Sequence, residues 1–249
     1  MLTAQRHEEI MHILQERGAV SVCELTEFLH TSESTIRRDL TALAKMGKLN
    51  KVRGGATLTT QDLILREDSV DDKFQKQIRE KKAIASYAAS QIEPGDFVYL
   101  DAGTTTRLMV DFIKPGNNIT FVTNGIVHAR ELVKKGLRTY VLGGELKSAT
   151  EAVIGAAAVQ NLRNYNFSKA FLGTNGLSVR QGYTTPDMDE ACVKDAAIHQ
   201  SFVSYVLADS SKFGKVSTVS FAPLEAAVLI TDRMMDVSYG EKTIVKEVD

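Results

Sequence analysis

Three short runs of apolar residues recur at helical spacing in the first fifty positions, each bounded by a polar cap and a tight turn. Ile10, Ile13 and Leu14 share one face of a first helix, which Thr3 opens and Gly18 ends. Ser21 followed by Glu24 is a capping-box pattern, and it opens a second helix with Leu25, Phe28 and Leu29 as its apolar side. Ser32 caps a third helix that runs to Met46, with Gly47 at its C-terminal stop. On a helical wheel Ile36, Leu40 and Leu43 form one stripe, while Ser34, Arg38, Thr41 and Lys45 take the opposite face and Arg37 the flank. The stretch from Lys48 to Ala56 then alternates and turns at Gly54 and Gly55, as a small β-hairpin does. Three helices and a hairpin in this order predict a winged helix-turn-helix over residues 1–57.

Residues 58–69 show no such period and are assigned to a linker. Ser69 caps a long helix that carries Phe74, Ile78, Ile84 and Ala88 and stops before Pro94-Gly95. From there β-rich runs fall at 97–100, 119–122, 139–142, 170–172, 205–208 and 228–231, most of them separated by enough chain for a helix. Strand and helix in alternation predict a mostly parallel sheet covered on both faces, so residues 70–249 are expected to form a larger α/β domain. Ligands of such sheets sit at the carboxyl ends of the strands.

Charge changes the picture of the N-terminal part. The whole chain carries a formal charge of only −1, so no global field draws it to nucleic acid. Residues 32–57, however, hold Arg37, Arg38, Lys45, Lys48, Lys51 and Arg53 against Glu33 and Asp39, whereas residues 1–31 are net acidic. The basic side of this small domain is therefore the third helix and the hairpin. A helix face of hydroxyls and cations suits phosphates and base edges, and docking in a major groove needs this layout. The candidate DNA contacts are Ser32, Ser34, Thr35, Arg37, Arg38, Thr41, Lys45, Lys51, Arg53 and Gly54.

Other classes are excluded by what is missing. Two isolated cysteines, Cys23 and Cys192, make neither a disulfide framework nor a Cys-based metal site, and both are expected to be buried in helices. The histidines His7, His12, His30, His128 and His199 have no metal-ligand spacing, so neither metal nor cofactor is expected. No apolar run reaches the roughly 20 residues that span a bilayer, and the first residues lack a signal-peptide core; a cytoplasmic protein is expected.

Ser32-Glu-Ser-Thr-Ile-Arg-Arg-Asp-Leu, followed by Gly47-Lys-Leu and Gly54-Gly-Ala, resembles the signature of the DeoR family of bacterial sugar-metabolism repressors. Arg53 departs from the His that more often precedes the Gly pair in that family; it keeps a donor and adds permanent charge. The larger domain has its own telling segment, Phe97-Val-Tyr-Leu-Asp-Ala-Gly-Thr-Thr-Thr-Arg. There a strand ends at Asp101 and a glycine turn leads into a helix, whose first amides and hydroxyls suit a phosphate. Asp101 would repel a phosphate and is expected to accept from sugar hydroxyls instead. This domain resembles the family's sensor domain, which is similar in fold to ribose-5-phosphate isomerase and glucosamine-6-phosphate deaminase and binds phosphorylated sugars. The resemblance implies Asp101, Gly103, Thr104, Thr105, Thr106, Asn124, Gly143, Gly144, Glu190, Asp209 and Lys212 as effector contacts. Leu65-Arg-Glu, Asp101-Ala-Gly-Thr-Thr-Thr, Gly182-Tyr-Thr-Thr-Pro-Asp and Leu207-Ala-Asp-Ser-Ser-Lys-Phe most resemble the fructose-operon repressors of Gram-positive bacteria, which implies fructose 1-phosphate as effector. The expected partners are operator DNA, a sugar phosphate and a second or fourth copy of the chain. A sugar-phosphate isomerase or deaminase, with Asp101, Glu190 and Lys212 as acid–base groups, and an activator of the same architecture are the competing readings.

Overall fold

The computed structural model describes residues 2–59, 63–64, 70–116 and 118–249. The rest of the expected linker, with Ser69 and the Leu65-Arg-Glu motif, lies outside the described residues. The chain forms two compact units, Met1–Leu63 and Ile64–Asp249.

In the first unit α1 (Thr3–Arg17), α2 (Val22–Phe28) and α3 (Glu33–Lys45) surround one apolar core, and β1 (Ala19–Ser21), β2 (Asn50–Val52) and β3 (Gly55–Thr57) form an antiparallel sheet in the order β1-β3-β2. The third strand, β1, was not expected. Gly55 admits it: a Cβ there would come within 2.2 Å of the Val20 carbonyl oxygen. The cap of α1 is Leu2, and Thr3 lies inside the helix. Ser21 and Glu24 form the capping box as read, with Ser21 N donating to Glu24 Oε2 at 2.8 Å. Of the three apolar residues read for α2, Leu25 and Leu29 are buried, while Phe28 is exposed with the Arg17 guanidinium 4.4 Å above its ring.

The boundary between the units falls within β4 (Leu63–Ile64). The expected long helix is two: α4 (Val70–Gln75) and α5 (Ile78–Ser90), separated at Gln77, whose φ of +53° breaks the helical path. Then come β5 (Phe97–Leu100), α6 (Thr104–Phe112), β6 (Thr120–Thr123), α7 (Ile126–Lys134), β7 (Arg138–Val141), the hairpin β8 (Glu145–Lys147) and β9 (Ala152–Ile154), α8 (Ala156–Leu162) and β10 (Phe167–Gly173). The remainder is β11 (Gly176–Ser178), β12 (Gly182–Thr185), α9 (Met188–His199), β13 (Ser201–Leu207), β14 (Val216–Ser217), β15 (Val219–Ala222), β16 (Val228–Thr231), α10 (Ser238–Lys242) and β17 (Val245–Glu247).

Seven strands form one sheet in the order β17-β16-β13-β10-β5-β6-β7, every pair parallel. Strands buried in the sheet interior read as apolar runs, which makes β5, β6, β10, β13 and β16 legible; the edge strand β7, mostly exposed, is legible from its β-rich Thr-Tyr-Val run instead. Their alternation divides the core: Val98 and Leu100 join Ile84, Leu108 and Met109 on one face, and Tyr99 joins Leu162, Phe167 and Val193 on the other. Cys23 and Cys192 are both exposed, contrary to expectation. From β5 the order runs through β6 to β7 one way and from β10 through β13, β16 and β17 the other. The reversal between β5 and β10 is the switch point at which open α/β sheets leave a crevice.

Candidate functional site

The outer face of α3 and the hairpin gather all ten residues read as DNA contacts. Nine are exposed and Thr35 is half-buried. Ser32 caps the helix, its hydroxyl accepting from Thr35 N at 3.3 Å. Lys51 of β2 donates to Thr41 Oγ1 at 2.7 Å, which lays the hairpin arm along the helix. Arg53 and Gly54 form the hairpin tip, and Gly54 turns it at a φ of +85°. Arg37 Nε donates to Glu33 Oε1 at 2.9 Å one helical turn back, so its guanidinium is already engaged, whereas Arg38 and Lys45 point outward. Behind this face, Arg6 Nε donates to Asp39 Oδ2 at 2.6 Å and His7 Nε2 lies 3.1 Å from Asp39 Oδ1. Burial alone pushes the Asp39 carboxyl up, but the bonds and charges of Arg6 and His7 outweigh it and hold it below the usual carboxylate range. Asp39 is thus a clamp between α1 and α3, and its charge is removed from the outer face of α3. The face offers cations and hydroxyls with no carboxylate but Glu33 among them.

At the switch point of the second unit a cavity opens beyond the ends of β5 and β10. Its floor is the Ala102–Thr105 turn and the Gly173–Asn175 loop, and the rest of the wall carries Lys73, Lys81, Thr150, Glu190, Lys194, Leu207, Asp209 and Lys212. Four ammonium groups face two carboxylates, so the cavity favours an anion. The first amides of α6 have no acceptor within the helix, which adds donors of the kind phosphate takes.

Several expected contacts turn out to build the turn rather than line the cavity. Asp101 is buried, and its Oδ2 accepts from Gly173 N at 3.0 Å and from Lys194 Nζ. It ties the two strand ends together and holds Lys194 at the cavity wall, where Lys194 also donates to the Gly173 carbonyl at 3.1 Å. Thr106 is fully buried; its hydroxyl donates to the Asp101 carbonyl at 2.6 Å and accepts from Gly103 N at 2.9 Å. Asn124 accepts from Ala102 N at 2.9 Å and donates to the Val153 carbonyl at 3.3 Å. His128 Nε2 lies 3.0 Å from the Gly103 carbonyl, which requires a proton on that nitrogen, and burial pushes its pKa down to about 4. Gly143 and Gly144 belong to the turn before β8, away from the cavity; a Cβ on Gly144 would come within 2.6 Å of the Ile154 carbonyl oxygen. Gly103, Thr104, Thr105, Glu190, Asp209 and Lys212 do line it.

Glu190 is held from two sides: Lys147 Nζ donates to its Oε1 at 3.0 Å and Thr150 Oγ1 at 2.8 Å. Sequence reasoning missed Lys73, Lys81, Lys194 and Thr150. A signal existed for two of them. Lys194 lies one turn after Glu190 among Ala191, Val193, Ala197 and Ile198, and Lys81 shares the register of Ile84, Ala85 and Ala88. A charge in an apolar register is either turned toward a cavity or paired.

Residues 6–62 match the DeoR-like helix-turn-helix domain, and residues 76–233 the DeoR C terminal sensor domain. Over its full length the chain is 44% identical to a protein of Bacillus subtilis (strain 168) named uncharacterized HTH-type transcriptional regulator FruR, covering 99% of it. It is 37% identical to the lactose phosphotransferase system repressor of Staphylococcus epidermidis (strain ATCC 12228 / FDA PCI 1200), covering 91% of each chain. Among solved structures, ribose 5-phosphate isomerase A of Methanocaldococcus jannaschii aligns over 54% of each chain at 14% identity with a TM-score of 0.40. Relatives named as a regulator and a repressor cover 100% and 91% of the chain, and the reading of it as an enzyme is dropped. A helix-turn-helix followed by a sensor domain, with family models matching most of the chain, makes this protein a member of the DeoR family of DNA-binding transcriptional regulators.

Proposed function

We propose that the protein represses a sugar-utilisation operon, reads its operator with the outer face of α3 and the hairpin, and is released by a phosphorylated sugar bound at the switch-point cavity. The observation that carries this is the cavity itself: four lysines and the first turn of α6 around one opening, with Glu190 and Asp209 beside them. Such a lining suits a phosphate dianion attached to a body of hydroxyls. The phosphate sits against Gly103, Thr104 and Thr105 with Lys212 near it, and the hydroxyls meet Glu190, Asp209 and Lys194. Asp101 acts behind them, through Lys194.

Fructose 1-phosphate is the favoured effector, a reading that rests on the resemblance of Asp101-Ala-Gly-Thr-Thr-Thr and Leu207-Ala-Asp-Ser-Ser-Lys-Phe to the fructose-operon repressors. The protein works as a homodimer or homotetramer, because helix-turn-helix readers pair on two half-sites. Among the described residues no helix is long and apolar enough to cross a membrane.

The test is a titration of a fluorescent operator, recovered from a random pool with the full-length protein, against fructose 1-phosphate, fructose 6-phosphate and free fructose. A sugar phosphate should lower operator affinity by about 5- to 150-fold, a common range for coupled sites, and free fructose should not. Light scattering should give two or four chains per particle. Indifference of the operator complex to every phosphorylated hexose would remove the effector reading.

A further inference from the structure

Two apolar side chains of the second unit stand largely in water although their backbones are fixed. Phe202, at the start of β13, is 86% exposed, and Ile244, just before β17, is 71% exposed. Val203 pairs with Lys169 of β10, and Ser201 Oγ donates to the Ala197 carbonyl at 2.6 Å, which anchors Phe202 from both sides along the chain. Leu229 N donates to the Ile244 carbonyl at 2.9 Å, and Thr243 Oγ1 donates to the Ala227 carbonyl at 2.6 Å. Neither residue sits on a loose segment, so little ordering cost attends its use in a contact.

The two residues flank one groove. β16 begins at Val228, opposite Tyr205, so among the described residues no strand pairs with Phe202, Val203 or Ser204 on that side of β13. The gap belongs to a groove with Phe202, Val203, Ala226, Met234 and Ile244 on its walls. Glu225, Glu241 and Lys242 line it as well, and all three are exposed. Single apolar residues on a surface need no explanation, but several around one hollow mark an interaction site. Apolar groups joined by exposed charges are the anatomy of a contact between proteins. The adjoining edge strand β17 exposes Lys246 and Glu247, charges that discourage another strand from adding there, so the groove is the more suitable surface.

We propose that this groove docks a second copy of the chain about a two-fold axis, with Phe202 of each copy entering the groove of the other. The proposal rests on the reading of the protein as a homo-oligomer and assigns the place where the copies meet. A two-fold contact uses the same patch twice, so the patch must complement itself. This one carries both a projecting ring and a hollow. It also carries both the Lys242 ammonium and the Glu225 and Glu241 carboxylates, so the cation of one copy meets the anions of the other. Two carboxylates against one ammonium turn nucleic acid away from the same surface.

The experiment uses the full-length protein, with light scattering and sedimentation velocity over a dilution series. Phe202→Asp and Ile244→Asp each place a charge in the groove; Val133→Asp, at a 59% exposed position on α7 near the opposite edge of the sheet, is the control. Each groove variant should weaken self-association at least roughly tenfold, giving particles of half the wild-type mass, with unchanged circular dichroism and with Val133→Asp like wild type. Should a variant fail to fold, wild type alone answers: dilution that separates the copies should speed hydrogen exchange at residues 201–204 and 243–245, and unchanged rates there overturn the proposal. Groove variants that associate like wild type also overturn it and leave the homo-oligomer standing. Dissociation of Val133→Asp in their place moves the contact to the β7 side and overturns it too. A wild type that is monomeric at every concentration removes the homo-oligomer and this contact together.

Discussion

The first unit turns the charged groups of its candidate site outward and the second turns them inward. In the first, α3 puts Ile36, Leu40 and Leu43 into the core and turns Arg38, Thr41 and Lys45 outward, so packing and the proposed reading of DNA use different faces of one helix. In the second, the charges point inward: Lys81, Asp101, Glu190, Lys194 and Asp209 are all buried, and each is enclosed by elements far apart in sequence. An outward site can lose a side chain and keep its fold. An inward site shares its charges with the scaffold, so ligand binding and stability are one problem.

That contrast is open to a direct attack, and the largest expected effect lies in the second unit. Lys194→Met leaves the Asp101 carboxylate buried without its cation, which costs about 3–5 kcal/mol when one partner of a buried pair is removed. In the first unit Arg6→Met leaves Asp39 with His7 still in place, so the loss should be smaller, about 1.5–3 kcal/mol for a hydrogen bond to a charged group. Urea denaturation of both variants measures the difference. An equal or larger loss for Arg6→Met would break the distinction between the units.

Acid sharpens the same distinction. His128 is buried neutral with its pKa lowered to about 4, while in the unfolded chain a histidine titrates near 6.5. Between those values the unfolded chain binds a proton that the folded chain refuses. Stability supplied by neutral His128 is therefore complete above pH 6.5 and is lost as pH falls toward 4, by roughly 3 kcal/mol at most. His128→Gln keeps a donor to the Gly103 carbonyl and should flatten that part of the pH profile. A wild-type profile that is already flat between pH 6.5 and 4 would mean that His128 does not face a closed interior.

How far the sequence could be read follows the same division. The α3 face was legible because helical period alone sorts it, and the parallel strands were legible as apolar runs. β17, three residues long and at the sheet edge, carries a lysine and a glutamate and has no such run. The break between α4 and α5 falls at Lys76-Gln77, where neither glycine nor proline marks it. In the second unit the hydroxyl of Thr106 and the amide of Asn124, each beside a strand end, are what a phosphate site needs. They are equally what a tight turn needs, and here the turn holds them. Lysines usually face solvent, which hides Lys81 and Lys194 in the sequence, and the topology brings both to one opening.

On the reading face the effects are smaller and should leave the fold untouched. Arg38→Ala removes an exposed guanidinium with no partner in the helix stripe, and the cost to operator binding should be about 1–3 kcal/mol with unchanged thermal unfolding. A gel shift at fixed salt measures it. Wild-type affinity for this variant would move the reading surface away from α3.

The smallest effect separates Arg37 from Arg38. Arg37 is held by Glu33 one turn back, with side chains 52% and 60% exposed, so the pair itself adds little to stability. It does matter to an approaching phosphate, because Glu33 repels it and occupies the donors it would take. Glu33→Gln should therefore raise operator affinity by a few-fold, a gain of roughly 0.5–1 kcal/mol, while the helix keeps its Ser32 cap. The gain has two sources, release of Arg37 and removal of a negative charge from the face. A double-mutant cycle separates them: in an Arg37→Ala background the release disappears and only the charge remains, so the gain should shrink. The charge part should also fade as salt rises from 50 to 200 mM, since exposed charges are screened. An identical gain in both backgrounds at every salt concentration would show that Arg37 takes no part in reading, leaving Arg38, Lys45 and the hairpin to hold the DNA.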